Sequence, residues 1–340
     1  MVRMTNGENH SELQTGPKKF LEIREQIELL ASRGMEFSDV EQASSLLERV
    51  SYYRLSGYWY SFRQFASDSN SGPSRAPSRT DEFLTGTTFE SVVELYEFDR
   101  RLRDAILADV SPIEVALRAS IGHSLGRLDP LAHLKPEKLG PTARAPKSTT
   151  EPSGKYTQWR SRYSHTLRDS REDFVAHHAA KYGGQLPVWA AVEILDWGSL
   201  SYLYSFAPPE AVTPIATRAD LSTAQLTSWI KTLNVTRNHA AHNSRMFNKV
   251  FSIKPKLPGG DGKFDILGAS ANRVFTQLSL IQAMTSSLLG GHAHNVRAAL
   301  QSFPHNEVVP ISSTGAPEGW EDSLLWAQHA LPTSRKLGDS

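Results

Sequence analysis

The sequence predicts a mainly α-helical protein, an up-and-down helical bundle with an N-terminal helical extension. Three observations predict it. Apolar residues recur at helical spacing in one segment after another, several segments open on helix-capping patterns, and there is neither a run of alternating strands nor an internal repeat. The chain has 340 residues, above the usual size of a single domain, and composition shifts divide it into an N-terminal helical region (17–70), a helical bundle (86–300) and a partly flexible tail (303–340).

In the first region, Phe20, Ile23, Ile27 and Leu30 and then Val40, Ala43, Leu47 and Val50 mark two short helices separated at Gly34. They lead into "SYYRLSGYWYSFRQF", an aromatic run closed by "SDSNSGPSRAPSR", whose Ser, Gly and Pro read as a loop and a boundary. The bundle opens on "TTFESVVELYEFDRRLRDAILADV". Thr87 and Glu90 form a capping-box pattern there, and Phe89, Val92, Tyr96, Leu102, Ile106 and Val110 supply an apolar face. A second helix is expected from "SPIEVALRASIGHSL", with Ser111 as cap, Pro112 in the first turn and Glu114 completing a box. "KPEKLGPTARAPKSTTEPSGK" then reads as a loop, over about residues 135–155. Helical patterns resume in "SREDFVAHHAAKY", "PVWAAVEILDWGSLSYLYSF" and "STAQLTSWIKTLNVTRNHAAH", the last with a Ser222/Gln225 box. A final amphipathic segment carries Val274, Leu278, Ile281, Met284 and Leu288. Trp189 and Trp197 read as core, and Trp320 and Trp326 as anchors that dock the tail.

Composition narrows the function classes. Hydrophobic residues make up 39% and charged residues 21%, the balance of a folded globular chain. With 37 basic against 36 acidic side chains no global field draws the protein to nucleic acid or membrane, so any polyanion site must be local. The absence of cysteine excludes disulfides and thiolate metal sites and suits a reducing compartment. No signal peptide or membrane span is legible, and the expectation is a cytoplasmic protein without a membrane partner.

One stretch concentrates the chemistry: "VTRNHAAHNSRMFN", residues 235–248, with two arginines, three asparagines and two histidines. The spacing of Arg237 and His242 is not distinctive alone, because Arg118 with His123 and Arg160 with His165 repeat it. The company is: Asn238, His239, Asn243 and Arg245. A metal site is poorly supplied, since the stretch holds no carboxylate, and no cofactor is expected. A polar helix end is a second reading, with basic side chains on the last carbonyls and Asn243 in the left-handed cap. The third is metal-independent RNA cleavage, in which the ribose 2′-OH attacks the adjacent phosphate. That reaction needs a proton acceptor, a proton donor and positive charge on the phosphorane, which histidine and arginine supply. At about 100° per residue, Arg237 and His242 lie about 140° apart on an unbroken helix. Either the helix breaks within the motif, the arginine wraps round, or a second copy completes the site across a two-fold axis.

These residues resemble a known family. "RNHAAHNSRMFN" is similar to the R-N-x-x-A-H-x-x-R-x-x-N signature of the Abi-like proteins, the AbiD/AbiF abortive-infection family within the HEPN superfamily of helical RNases. "SYYRLSGYWYSF", "TTFESVVELYEFDRRLRDAIL", "IEVALRASI" and "PVWAAVEILDWGSLSYLY" extend the resemblance over roughly residues 17–250, in five blocks of one order. It implies a HEPN-type bundle, an R-x4-6-H endoribonuclease site and a toxin-like role in phage defence; the angle between Arg237 and His242 adds the expectation of a homodimer with a composite site, and 2′-OH attack that of a 2′,3′-cyclic phosphate product. Arg237 and His242 match the catalytic pair and Asn238 the polar residue after the arginine. Asn243 and Phe247 stand where members commonly carry a second histidine and a tryptophan. A structured small noncoding RNA is an implied partner beside the RNA substrate. Supporting or RNA-binding candidates are His239, Asn243, Arg245, Asp99, Arg103 and Glu114, with Arg54 and Tyr58 of the aromatic block. The alternative for that block is simple packing of the N-terminal helices. The alternative for the whole protein is a noncatalytic RNA-binding scaffold.

Overall fold

The structure is a computed structural model that describes residues 16–66, 78–144, 154–260 and 262–327. The chain divides between Val92 and Val93 into two compact units, and the described residues are mainly helical.

In the first unit α1 (Ile23–Ser32) starts from a capping box between Glu22 and Glu25 and buries Ile27 and Leu30. Asp39 caps α2 (Val40–Val50) by accepting from the Gln42 amide at 2.9 Å. α3 (Tyr52–Trp59) buries Leu55, Tyr58 and Trp59. The chain then enters an antiparallel hairpin, β1 (Arg63–Phe65) with β2 (Arg79–Phe83), which the sequence did not announce. Of these two short strands only Phe83 is buried, so there is no apolar alternation to read; the loop between them, 67–77, lies outside the described residues.

The long helix α4 (Phe89–Gly126, 38 residues) replaces the two helices expected on either side of Ser111. Phe98, Leu102, Ile106, Val110, Ile113, Leu117, Ile121 and Leu125 form one buried stripe through the proline. Pro112 itself is exposed. A proline in a helix interior costs about 3 kcal/mol, whereas each large aliphatic side chain on that stripe gains about 1.5–3 kcal/mol by burial, so the packing outweighs the missing N–H. The cap also moves by one residue. Thr88, not Thr87, accepts from the Ser91 amide at 3.1 Å, while the Glu90 carboxylate takes the Ser38 amide and hydroxyl.

In the second unit, α5 (Pro141–Arg144) forms within the segment expected to be a loop and α6 (Lys155–Asp169) starts at its last residue; residues 145–153 of that segment are outside the description. α7 (Asp173–Lys181) follows. The helical pattern from Pro187 is broken into α8 (Val188–Ala191), a 3-10 turn and α9 (Trp197–Phe206), because the Asp196 carboxylate accepts from the Ser199 amide at 2.5 Å and starts a new helix. Trp197 is core, donating to the Ile230 carbonyl at 3.0 Å. Trp189 is not: it is 51% exposed, one side covering Gly122, where a Cβ would approach the Trp189 Cα to 2.9 Å.

α10 (Pro209–Arg218) precedes α11 (Thr223–Ala241), which opens on the expected Ser222/Gln225 box. α12 (Val274–Met284) is buried at every residue, so the segment expected to be amphipathic is a central helix. Its polar Gln277 accepts from Thr236 of α11 at 3.2 Å. After α13 (His294–Gln301), Trp320 and Trp326 are buried against Phe275, and the Trp326 indole donates to Ser279 at 3.1 Å, tying this segment to α12.

Burial gives His133 a stability consequence. His133 is fully buried edge-on to Tyr163, and neither ring nitrogen has a hydrogen-bond partner in the protein. Desolvation, helped by the nearby Arg160 charge, pushes its pKa down to about 3. The folded state therefore binds fewer protons than the unfolded chain below about pH 6.5, and stability falls as pH drops from there toward 3. His133→Phe is expected to flatten the loss of melting temperature between pH 6.5 and 4; a wild-type slope in the variant would contradict this origin.

Candidate active site

α11 positions the motif. Leu226, Trp229, Ile230, Leu233, Thr236 and Ala240 are its buried side, and the Trp229 indole is fixed to the Lys256 carbonyl at 2.8 Å. Asn234, Arg237 and Asn238 fall three and four residues apart on another face, and face a cleft of 310 Å³. The facing wall is the start of α9, from Asp196 to Ser199, with Glu114 and Arg118 of α4 and Arg162 of α6.

Charge in this cleft is unevenly satisfied. Arg118 is held by Glu114 and donates to the Val192 carbonyl at 2.6 Å and the Glu193 carbonyl at 3.1 Å. Asp196 is occupied with the α9 cap. Arg237 has no carboxylate partner among the described residues; its one contact is to the Asn238 side-chain oxygen at 3.4 Å, and Asn238 in turn donates to Asn234 at 3.4 Å. Arg162 pairs with no carboxylate among the described residues either. The two acids are thus engaged while two guanidiniums keep donors free for an anion.

The helix ends inside the motif. His242 is the C-cap, Asn243 adopts the left-handed conformation (φ 53°), its amide donates to the Ala240 carbonyl at 3.0 Å, and the Ser244 amide donates to the His239 carbonyl at 2.9 Å. These two bonds are the Schellman arrangement with asparagine in the place glycine usually takes. His242 is exposed on this turn and does not line the cleft that holds Arg237. Its neighbours are on the other side: His239, packed edge-on to Phe251 at 5.9 Å, and through it Lys249. Burial, followed by the Lys249 and His242 charges, holds the His239 pKa below the usual histidine value. Burial, then Arg245, lowers that of Lys249.

Asp99 and Arg103, named from the sequence as supporting or RNA-binding candidates, lie beneath the motif. They form a buried ion pair, and the Asp99 carboxylate also accepts from the Met246 amide at 3.0 Å and the Phe247 amide at 2.6 Å. This pair anchors the chain as it leaves the Schellman turn; a buried carboxylate needs such partners. Glu114 does line the cleft. Arg245 is half-buried beside the turn. Arg54 and Tyr58 belong to the first unit, where Tyr58 is 1% exposed and has no open ring face for a base. Asn234 and Arg162 went unnoticed in the sequence. Asn234 had a signal, its four-residue spacing from Asn238; Arg162, on a separate helix, had none.

No group of three or more histidine, aspartate and glutamate side chains among the described residues is arranged to hold a metal ion, and no helix among them is long and apolar enough to cross a membrane.

The fold and site thus define a mainly helical protein whose motif sits at a helix end beside a cationic cleft. The model of the Abi-like protein family matches residues 45–248, more than half of the chain and including the whole Arg237 to Asn248 motif. The protein belongs to the Abi-like family. No curated protein and no solved structure matches it.

Proposed function

We propose that the protein is a HEPN-type endoribonuclease of an abortive-infection system, cytoplasmic, acting by 2′-OH attack with no metal required and arresting growth in phage defence. The observation that carries this reading is Arg237, a cation without a carboxylate partner among the described residues, in a cleft beside Asn238, five residues before an exposed histidine at the helix end. Arg237 clamps the phosphate and the developing phosphorane, His242 transfers the proton, and Asn238 orients the arginine through its side-chain oxygen. Arg245 and His239 make secondary RNA contacts. A structured small noncoding RNA serves as the regulator.

Because His242 stands outside the Arg237 cleft, the two act together across a homodimer, Arg237 of one copy with His242 of the other. Arg237→Ala and His242→Ala are each expected to be inactive. Mixed and allowed to exchange subunits, they are expected to regain cleavage, since a heterodimer carries one site with both groups intact. No recovery on mixing, with dimer exchange verified by sedimentation of tagged chains, would contradict the composite site.

The same separation favours a second reading, in which the cationic cleft grips the backbone of a structured RNA without cutting it. A binder of that kind protects RNA from added nuclease and loses affinity steeply with salt, whereas an enzyme turns over.

A further inference from the structure

The aromatic block is split by the structure into two faces. Leu55, Tyr58, Trp59 and Phe62 are buried, with Tyr52 edge-on to Trp59 at 4.8 Å. Tyr53 and Tyr60 turn the other way, 78% and 44% exposed. Tyr60 keeps right-handed helical geometry at the end of α3, and seven residues at about 100° each come within about 20° of two full turns. The two open rings therefore share a helix face.

The hairpin adds to that face. The Arg79 guanidinium lies 4.0 Å from the centre of the Phe65 ring and 6.0 Å from that of Tyr60, and Phe65 is 56% exposed. Arg79 is held there by donating to the Arg63 carbonyl. The acid nearest in sequence, Asp81, is taken by Arg33 at 2.6 Å and Arg63 at 2.9 Å; Arg79 pairs with no carboxylate among the described residues. Single exposed apolar side chains are ordinary. Tyr60 and Phe65, bridged by a cation with no carboxylate partner among the described residues, form a different feature, since they present π faces and positive charge together.

We propose that this face of the first unit is a stacking platform for single-stranded RNA. Unpaired bases lie on Tyr53, Tyr60 and Phe65, and a backbone phosphate meets Arg79. Bases out of a duplex stack on aromatic rings and guanidinium planes whatever their sequence; paired bases offer no such face. The choice of RNA as the nucleic acid rests on the proposed function, while the stacking geometry does not.

The test is fluorescence anisotropy on the full chain with a labelled single-stranded 2′-O-methyl oligonucleotide, which has no 2′-OH nucleophile and so reports binding apart from cleavage. Tyr60→Ala with Phe65→Ala is expected to weaken binding about tenfold or more, from stacking lost at two rings. The ring-preserving pair Tyr60→Phe with Phe65→Tyr should bind as wild type, and Arg79→Gln should reduce the slope of log affinity against log salt by about 0.7. Unchanged affinity in the alanine pair, or an equal loss in the ring-preserving pair, would overturn the platform. So would unchanged RNA affinity accompanied by loss of self-association in sedimentation, which would assign the face to protein contact. Absence of cleavage by the wild type leaves a positive binding result standing, and failed stacking with intact cleavage removes the platform alone.

Discussion

Asp99→Ala is expected to destabilise the second unit by about 3–5 kcal/mol, the cost of leaving a buried charge without its partner. Arg103 is 2% exposed and would keep its charge while losing the Asp99 carboxylate. The Met246 and Phe247 amides would also lose their acceptor, and each buried donor left unsatisfied costs about 1–3 kcal/mol. Asp99→Asn retains one oxygen for those amides and should fall between wild type and alanine. Asp99→Ala with Arg103→Met should recover only the share due to the stranded cation. Urea unfolding of the four chains measures this; a loss under about 1 kcal/mol for Asp99→Ala, within the range of ordinary surface substitutions and their scatter, would show that the pair does not anchor the turn. The functional consequence follows from position, since the anchored residues are the ones directly after Arg245.

His242→Ala is expected to have the opposite profile: no measurable change in folding and a loss of cleavage of about 10²–10⁴-fold, the usual contribution of a positioned proton-transfer group. The side chain is exposed and the turn that holds it is made by backbone bonds from residues 242–244, so truncation removes little packing. Arg237→Lys keeps the charge but loses the planar fork of donors, and about 10²-fold is the scale for one lost transition-state donor. Single-turnover rates on a defined RNA, with melting curves beside them, separate the two substitutions from a folding defect. Full activity in His242→Ala would remove it from the chemistry.

The parts of this molecule that local signals specify were legible before the structure. The Ser222/Gln225 box opens α11 where its pattern begins, and Asn243 takes the left-handed cap that ends it. That turn comes only at His242, so it does not bring His242 into the cleft that holds Arg237. Elsewhere tertiary packing overrode local signals. Ser111, Pro112 and Glu114 spell a helix start, yet a buried stripe carries α4 through them. The hairpin has almost no buried side chain to betray it. α12 looked amphipathic because Thr276, Gln277, Ser279 and Gln282 are polar, and their burial is set by neighbours far along the chain. The same holds at the site. Asp99 and Arg103 stand four residues apart, a spacing that does not tell that the carboxylate reaches amides nearly 150 residues away. The aromatic block was read as one unit because its rings are consecutive in sequence, and only helix geometry sorts Tyr58 inward from Tyr53 and Tyr60.

The most direct measurement incubates purified wild type and His242→Ala with cellular RNA in EDTA, resolves the products on a denaturing gel and determines their 3′ ends. Fragments from the wild type alone, ending in 2′,3′-cyclic phosphate, are the result expected of 2′-OH attack assisted by Arg237 and His242. Intact RNA with both proteins, or fragments that the histidine substitution leaves unchanged, would contradict it.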